Sequence, residues 1–208
     1  RDACEATAAE ARKLGIKATV LMGDTGNRTD NARMIREALA FNGSVDALVH
    51  NAAIRPHQGF LEMSEEEWQR VFDVNFSAAL WFARAFLPGM IEKGWGRLVS
   101  FVGMNAIGGH AGRSHVSASK HAVWGMTKTL AKEFGPKGVT CNVISPGTIQ
   151  GEVADARLIE ANAKLKPGIP VGRLGTPDDI AATVALLCSD SGSFINGQML
   201  QINGGVVT

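Results

Sequence analysis

Hydrophobic and polar positions change period repeatedly along this chain. Residues 2–14 mix alanine with charge at helical spacing, Gly15 closes that run, and 17–22 is a short apolar stretch, which predicts a helix and then a strand. Residues 31–41 return to helical spacing, Asn42-Gly43 punctuates them, and 45–49 is a compact apolar run typical of a buried strand. Ser64 followed by Glu67 is a capping box, and Trp68, Val71, Phe72, Phe76 and Leu80 behind it predict one long helix to about Lys93. Beyond Gly94 the pattern gives a strand at 97–102, a loop at 103–112, a helix at 117–134 and a strand at 139–144. A helix at 178–188 follows, with Thr176 as N-cap and Pro177 in its first turn, and the last strand is 198–202. Strands alternating with helices predict a parallel sheet covered on both faces, the doubly wound α/β class. No repeat or low-complexity linker interrupts the alternation, so a single domain over 1–208 is expected.

Composition narrows the partners. The 21 basic and 20 acidic residues are evenly spread and leave a net charge of +1, so neither nucleic acid nor an anionic membrane surface is expected as a partner. No apolar stretch reads as a membrane span or a secretory leader. Three scattered cysteines, Cys4, Cys141 and Cys188, offer no disulfide framework and suit a reducing cytoplasm. The histidines His50, His57, His110, His115 and His121 form no His-Glu-x-x-His, and 103–121 holds no carboxylate, so no metal site is expected. Ser100 and Ser114 lack the Gly-x-Ser-x-Gly setting of a hydrolase nucleophile.

Several segments in fixed order then carry a family resemblance. They are His50-Asn51-Ala52-Ala53 after a strand, Asp73-Val74-Asn75 in the long helix, Ser117-Ala118-Ser119-Lys120-His121-Ala122, the Pro146-Gly147-Thr148-Ile149 turn, Gly172 to Pro177, and the Gly197-Gln198 to Gly204-Gly205 tail. Together they resemble the short-chain dehydrogenase/reductase family, in its 3-oxoacyl-ACP-reductase-like branch. The resemblance implies a Rossmann-like sheet and a nicotinamide cofactor, NAD or NADP. It also implies a carbonyl or alcohol substrate and an oligomer built on the helices around 68–91 and 117–134.

The resemblance assigns Lys120 and Asn75 as catalytic. It assigns Asp24, Thr25, Asn51, Ala52, Ala53, Lys120, Pro146, Gly147 and Ile149 to the cofactor. In the family a tyrosine four residues before the lysine moves the proton and a serine thirteen before the tyrosine orients the carbonyl. Here Val116 and Gly103 stand at those positions, and the chain has 0 tyrosines. Valine and glycine carry no titratable proton. The expectation is therefore a catalytically silent subunit that assembles, as homo- or hetero-oligomer, with an active relative that supplies the tyrosine and the cofactor, this chain itself binding NAD or NADP or none. The alternative is a divergent oxidoreductase or lyase that uses Lys120 and Asn75 with another acid, His115 or Ser117.

The family's first two strands and its glycine-rich phosphate turn have no match, so the chain is expected to be incomplete at its amino terminus. Without them, residues 17–22 either wait on an unseen segment or pair directly with 45–49. The aspartate of 24–25 and the Lys120 stem each have a plain structural use, as a turn cap and as a packed helix lysine. Asn75 can equally be a helix-kink residue, and Asn203 stands where the family has aspartate, altering a turn or an interface. The segment 150–170, expected to cover the substrate, carries no diagnostic cluster.

Overall fold

The computed structural model describes residues 1–151, 164 and 166–208. Four parallel strands, β1 (Ala47–His50), β2 (Gly96–Phe101), β3 (Val139–Pro146) and β4 (Met199–Ile202), lie side by side in chain order. Their pairing is continuous, from His50 opposite Ser100 to Val143 opposite Met199. The crossover between β1 and β2 is the long helix anticipated from the capping box. The Ser64 hydroxyl accepts the Glu67 N–H at 3.1 Å and starts α3 (Glu65–Phe72). The helix continues through a π-helical stretch, Asp73–Ser77, into α4 (Ala78–Lys93), where Gly94 closes it at φ +67°.

By length and composition the run from Glu65 to Lys93 could cross a membrane. Here it is a core helix: Ala83, Phe86, Leu87 and Met90 pack on Leu98, Val139 and Cys141, with Ala131 of α6 (Ser114–Phe134) beside them. The opposite face of the sheet buries Val99 and Ile144 against Leu187 of α7 (Pro177–Leu187). Successive strand residues thus feed two cores, and each fully buried aliphatic side chain contributes roughly 1.5–3 kcal/mol. Thr176 and Pro177 start α7 as the sequence predicts, and Asp179 completes a capping box with Thr176. The remaining helices are α1 (Asp2–Lys13), α2 (Arg28–Asn42) and a short α5 (Met104–Gly108).

Three expectations need correction. Residues 17–22 form no strand: they have no sheet partner, and β1 pairs only with β2 among the described residues. Side chains occupy two of that segment's carbonyls, since Arg12 Nε donates to Ala18 at 2.9 Å and Arg33 donates to Met22. Direct pairing with 45–49, one of the two arrangements expected for it, is not seen among the described residues. The helix anticipated at 117–134 begins one turn earlier, at Ser114, and the loop anticipated at 103–112 contains α5. Most of the segment expected to cover the substrate lies outside the described residues.

Candidate active site

The parallel strands all end on one side, at His50, Phe101, Pro146 and Ile202, and ligands in such sheets bind beyond the carboxyl ends. A cavity of about 250 Å³ opens there, between the ends of β2 and β3 and the first turns of α6. Lys120, Pro146, Gly147 and Ile149 line it, as do Gly103 and Val116. Six positions singled out from separate stretches of sequence therefore meet at one place. Arg55, His110, Arg113, Ser117 and Thr148 complete its polar lining.

Lys120 is 3% exposed, and its ammonium donates to the Phe101 carbonyl at 2.7 Å. Burial, and secondarily the Arg55 guanidinium, push its pKa down to about 8. A lysine in that range is still protonated at neutral pH but gives up its proton far more readily than a solvated one. Val116 lies one helical turn earlier, largely buried. Gly103 has φ +129° and ψ 147°, a backbone conformation that L side chains rarely adopt. A residue with a side chain at 103, serine included, would be strained in this loop.

Asn75 does not reach the cavity. Its side chain clamps the turn after β1, with Oδ1 accepting the Ile54 N–H at 2.9 Å and Nδ2 donating to the Ile54 carbonyl and to Ser119 Oγ, both at 3.1 Å. It is fully buried at the middle of the π-helical stretch, so the kink use and a bridge to the active-site helix share one amide. Asn51, Ala52 and Ala53 follow β1 on the turn that this clamp holds, but they do not line the cavity.

Asp24 and Thr25 are also apart from it. The Asp24 carboxylate accepts the Gly26 N–H at 2.9 Å and pairs with Arg70 at 2.9 Å, contacts that, in that order, lower its pKa. The Thr25 carbonyl accepts Asn31 Nδ2 at 2.6 Å. These are the contacts of a turn tied to α2 and α3. Asn203 is likewise a turn residue, its Oδ1 accepting the Gly205 N–H at 2.9 Å.

Of the two replacement acids considered, Ser117 faces the cavity and His115 does not. His115 is fully buried on the other side of α6, 3.6 Å from Glu67 Oε1 on α3. Its place in the helix, one residue before Val116, turns it away from the lysine face. Among the described residues no three His, Cys, Asp or Glu side chains gather as a metal set.

Sequence reasoning missed Arg55 and Arg113, and it noted His50 only within the 50–53 segment and among histidines that form no metal motif. Arg55 follows the recognised 50–53 segment without a signal of its own, whereas Arg113 lies within 103–121, the stretch already noted for its lack of carboxylates. His50 ends β1, is 4% exposed, and hydrogen-bonds through neither ring nitrogen. Burial, with the nearby Lys120 charge, pushes its pKa down to about 4, so it is neutral at pH 7. The unfolded chain takes up this proton as pH falls through about 6.5, whereas the folded chain resists until about 4. Its contribution to stability is whole above pH 6.5 and lost across that window, an effect of about 3 kcal/mol. Urea denaturation at pH 7 and pH 4.5 should show a smaller acid loss in His50→Asn than in the unaltered protein.

The family profile described as enoyl-(acyl carrier protein) reductase matches residues 1–207. Nodulation protein G of Azospirillum brasilense is 36% identical over 193 residues, covering 93% of this chain and 78% of that protein. Acetoacetyl-CoA reductase of Allochromatium vinosum is 35% identical, covering 97% and 84% respectively, and the 3-oxoacyl-[acyl-carrier-protein] reductase FabG of Staphylococcus epidermidis is 31% identical, covering 99% and 84%. Among solved structures, one described as an NAD(P)-dependent gluconate 5-dehydrogenase from Beutenbergia cavernae, with NADP bound at low occupancy, superposes with a TM-score of 0.88 at 33% identity. It covers 99% of this chain and 83% of its own.

Proposed function

We propose, because this chain belongs to the short-chain dehydrogenase/reductase family of oxidoreductases, that its cavity is an NAD(P)-dependent carbonyl-reducing and alcohol-oxidising site in which Lys120 moves the proton. The observation that carries this reading is the buried Lys120 ammonium in the cavity wall, with its pKa near 8. The residues present suit the nicotinamide-ribose end of the cofactor: Lys120 and the 146–149 turn border a space with room for it. The adenine end has less support, since Asp24 is already engaged by Arg70. Bound cofactor supplies or accepts the hydride. Lys120 protonates the oxygen of the carbonyl in reduction and takes that proton back in oxidation, while Ser117 and Thr148 offer hydroxyls to orient the oxygen. Asn75 and Asn51 to Ala53 act by holding the floor of the site rather than by touching substrate.

A second reading is favoured by a specific observation. Val116 and Gly103, the positions that the resemblance gives to tyrosine and serine, both face the cavity and bring no proton to it. On that reading the chain is a silent subunit that assembles with an active relative. Either way, we expect an oligomer joined through α3, α4 and α6, and a reducing, cytoplasmic setting agrees with three unpaired cysteines.

The purified protein, assayed alone for NADH- and NADPH-dependent reduction of small ketones and β-ketoacyl thioesters, decides between them. Turnover that falls as pH rises through about 8 supports the lysine-driven enzyme, because the proton to be donated is lost there. No turnover alone, with cofactor oxidation appearing only after mixing with an active relative, supports the silent subunit.

A further inference from the structure

We propose that this cavity selects an anionic substrate, a small carbonyl or alcohol compound bearing a carboxylate that Arg113 and Arg55 hold. The inference rests on the reading of the cavity as a catalytic site and adds the chemistry of what enters it. Among the described residues Arg55, Arg113 and Lys120 all line the space, His110 stands beside them, and no aspartate or glutamate is in the wall. The chain as a whole is balanced at +1, so this excess of one sign is local.

Five other arginines of the described chain have carboxylate partners, Arg97 with Asp190 at 3.9 Å among them, while Arg1, Arg28, Arg36 and Arg84 are exposed to solvent without one among the described residues. Arg12 pairs with Glu5, Arg33 with Asp30 and Glu37, Arg70 with Asp24, and Arg173 with Asp179. Arg55 and Arg113 have no such carboxylate among the described residues. Arg113 also holds a buried Nε without any hydrogen-bond partner, which leaves a donor desolvated and idle. Arg113 is the N-cap residue of α6, whose first turn no side chain caps among the described residues, and Val116 and Ser117 of that turn line the same space. Arg55 is close enough to Lys120 to disfavour its charge.

Three cations around one space repel one another, and an anion among them turns that cost into attraction. The planar guanidinium fork matches a carboxylate with two parallel hydrogen bonds, leaving Lys120 to face the neighbouring carbonyl or hydroxyl. The same anion would raise the lysine's proton affinity, so substrate entry would itself load the acid.

A carboxylate of the substrate and a phosphate of the dinucleotide share this chemistry, and titration calorimetry separates them. Gluconate is compared with glucitol, and acetoacetate with methyl acetoacetate, each with and without saturating NADP+. The acid of at least one pair is expected to bind at least tenfold more tightly than its neutral partner and to keep that preference with NADP+ present. Arg113→Gln and Arg55→Gln should each abolish the preference. Arg36→Gln, the same charge change on the exposed face of α2, should leave it intact. Equal affinity for acid and neutral partners overturns the proposal. So does displacement of the acid by NADP+, which assigns the arginines to a phosphate. If NADP+ gives no binding heat, the nicotinamide reading fails, yet the acid-against-neutral comparison still stands or falls by itself.

Discussion

Replacing Lys120 by methionine is expected to reduce carbonyl turnover at least a hundredfold, the range in which a positioned acid contributes to such a reaction. Methionine fills similar volume without charge, and the lysine pays a penalty for its burial, as its pKa near 8 records. The fold should therefore survive, with the Phe101 carbonyl losing its 2.7 Å donor as the main structural consequence. Lys120→Arg sharpens the test. Arginine keeps the positive charge but holds its proton at any working pH. If Lys120 acts only by attracting an anion or a ribose, Lys120→Arg should retain most of the rate and shift mainly KM. If it donates the proton, kcat should collapse in both variants, and the fall in rate through about pH 8 should vanish with it. Retained kcat in Lys120→Arg would sink the proton-transfer role.

The sheet and its helices were legible because their causes are local. The Ser64 cap, the Thr176-Pro177 start and the compact apolar runs each act within a few residues. The strand anticipated at 17–22 was not, because a parallel strand exists only through a neighbour, and in this chain Arg12 and Arg33 take its carbonyls instead. For the site, one-turn spacing from Lys120 was enough to place Val116 beside it, and both line the cavity. The same rule could not reveal that Asn75 spends its amide on Ile54 and Ser119, since those partners come from distant segments. Arg55 and Arg113 carry no motif. Their convergence depends on the clamp that fixes the turn after β1 and on the early start of α6, both of which are tertiary facts.

Val116→Tyr is expected to raise carbonyl reduction at least tenfold, a modest share of what a well-placed acid can supply. Val116 is 8% exposed in a wall that opens onto about 250 Å³, so a phenol ring can extend into free space rather than into the core. One helical turn separates it from Lys120, which puts the hydroxyl on the lysine face, where the ammonium favours the phenolate and lowers the phenol's pKa. Adding Gly103→Ser should not multiply the gain. At φ +129° a side chain costs about 1–3 kcal/mol of backbone strain unless the loop rearranges, and rearrangement would move the hydroxyl away from the carbonyl. The two readings of this chain part here. A silent subunit should pass from no turnover to measurable turnover with one substitution, whereas a lysine-driven enzyme should gain on a rate it already has and keep residual activity when Lys120→Met is combined with Val116→Tyr. A tyrosine variant that folds, binds NADP+ and reduces no faster than the unaltered protein would mean that the cavity no longer holds a carbonyl where the family's acid can reach it.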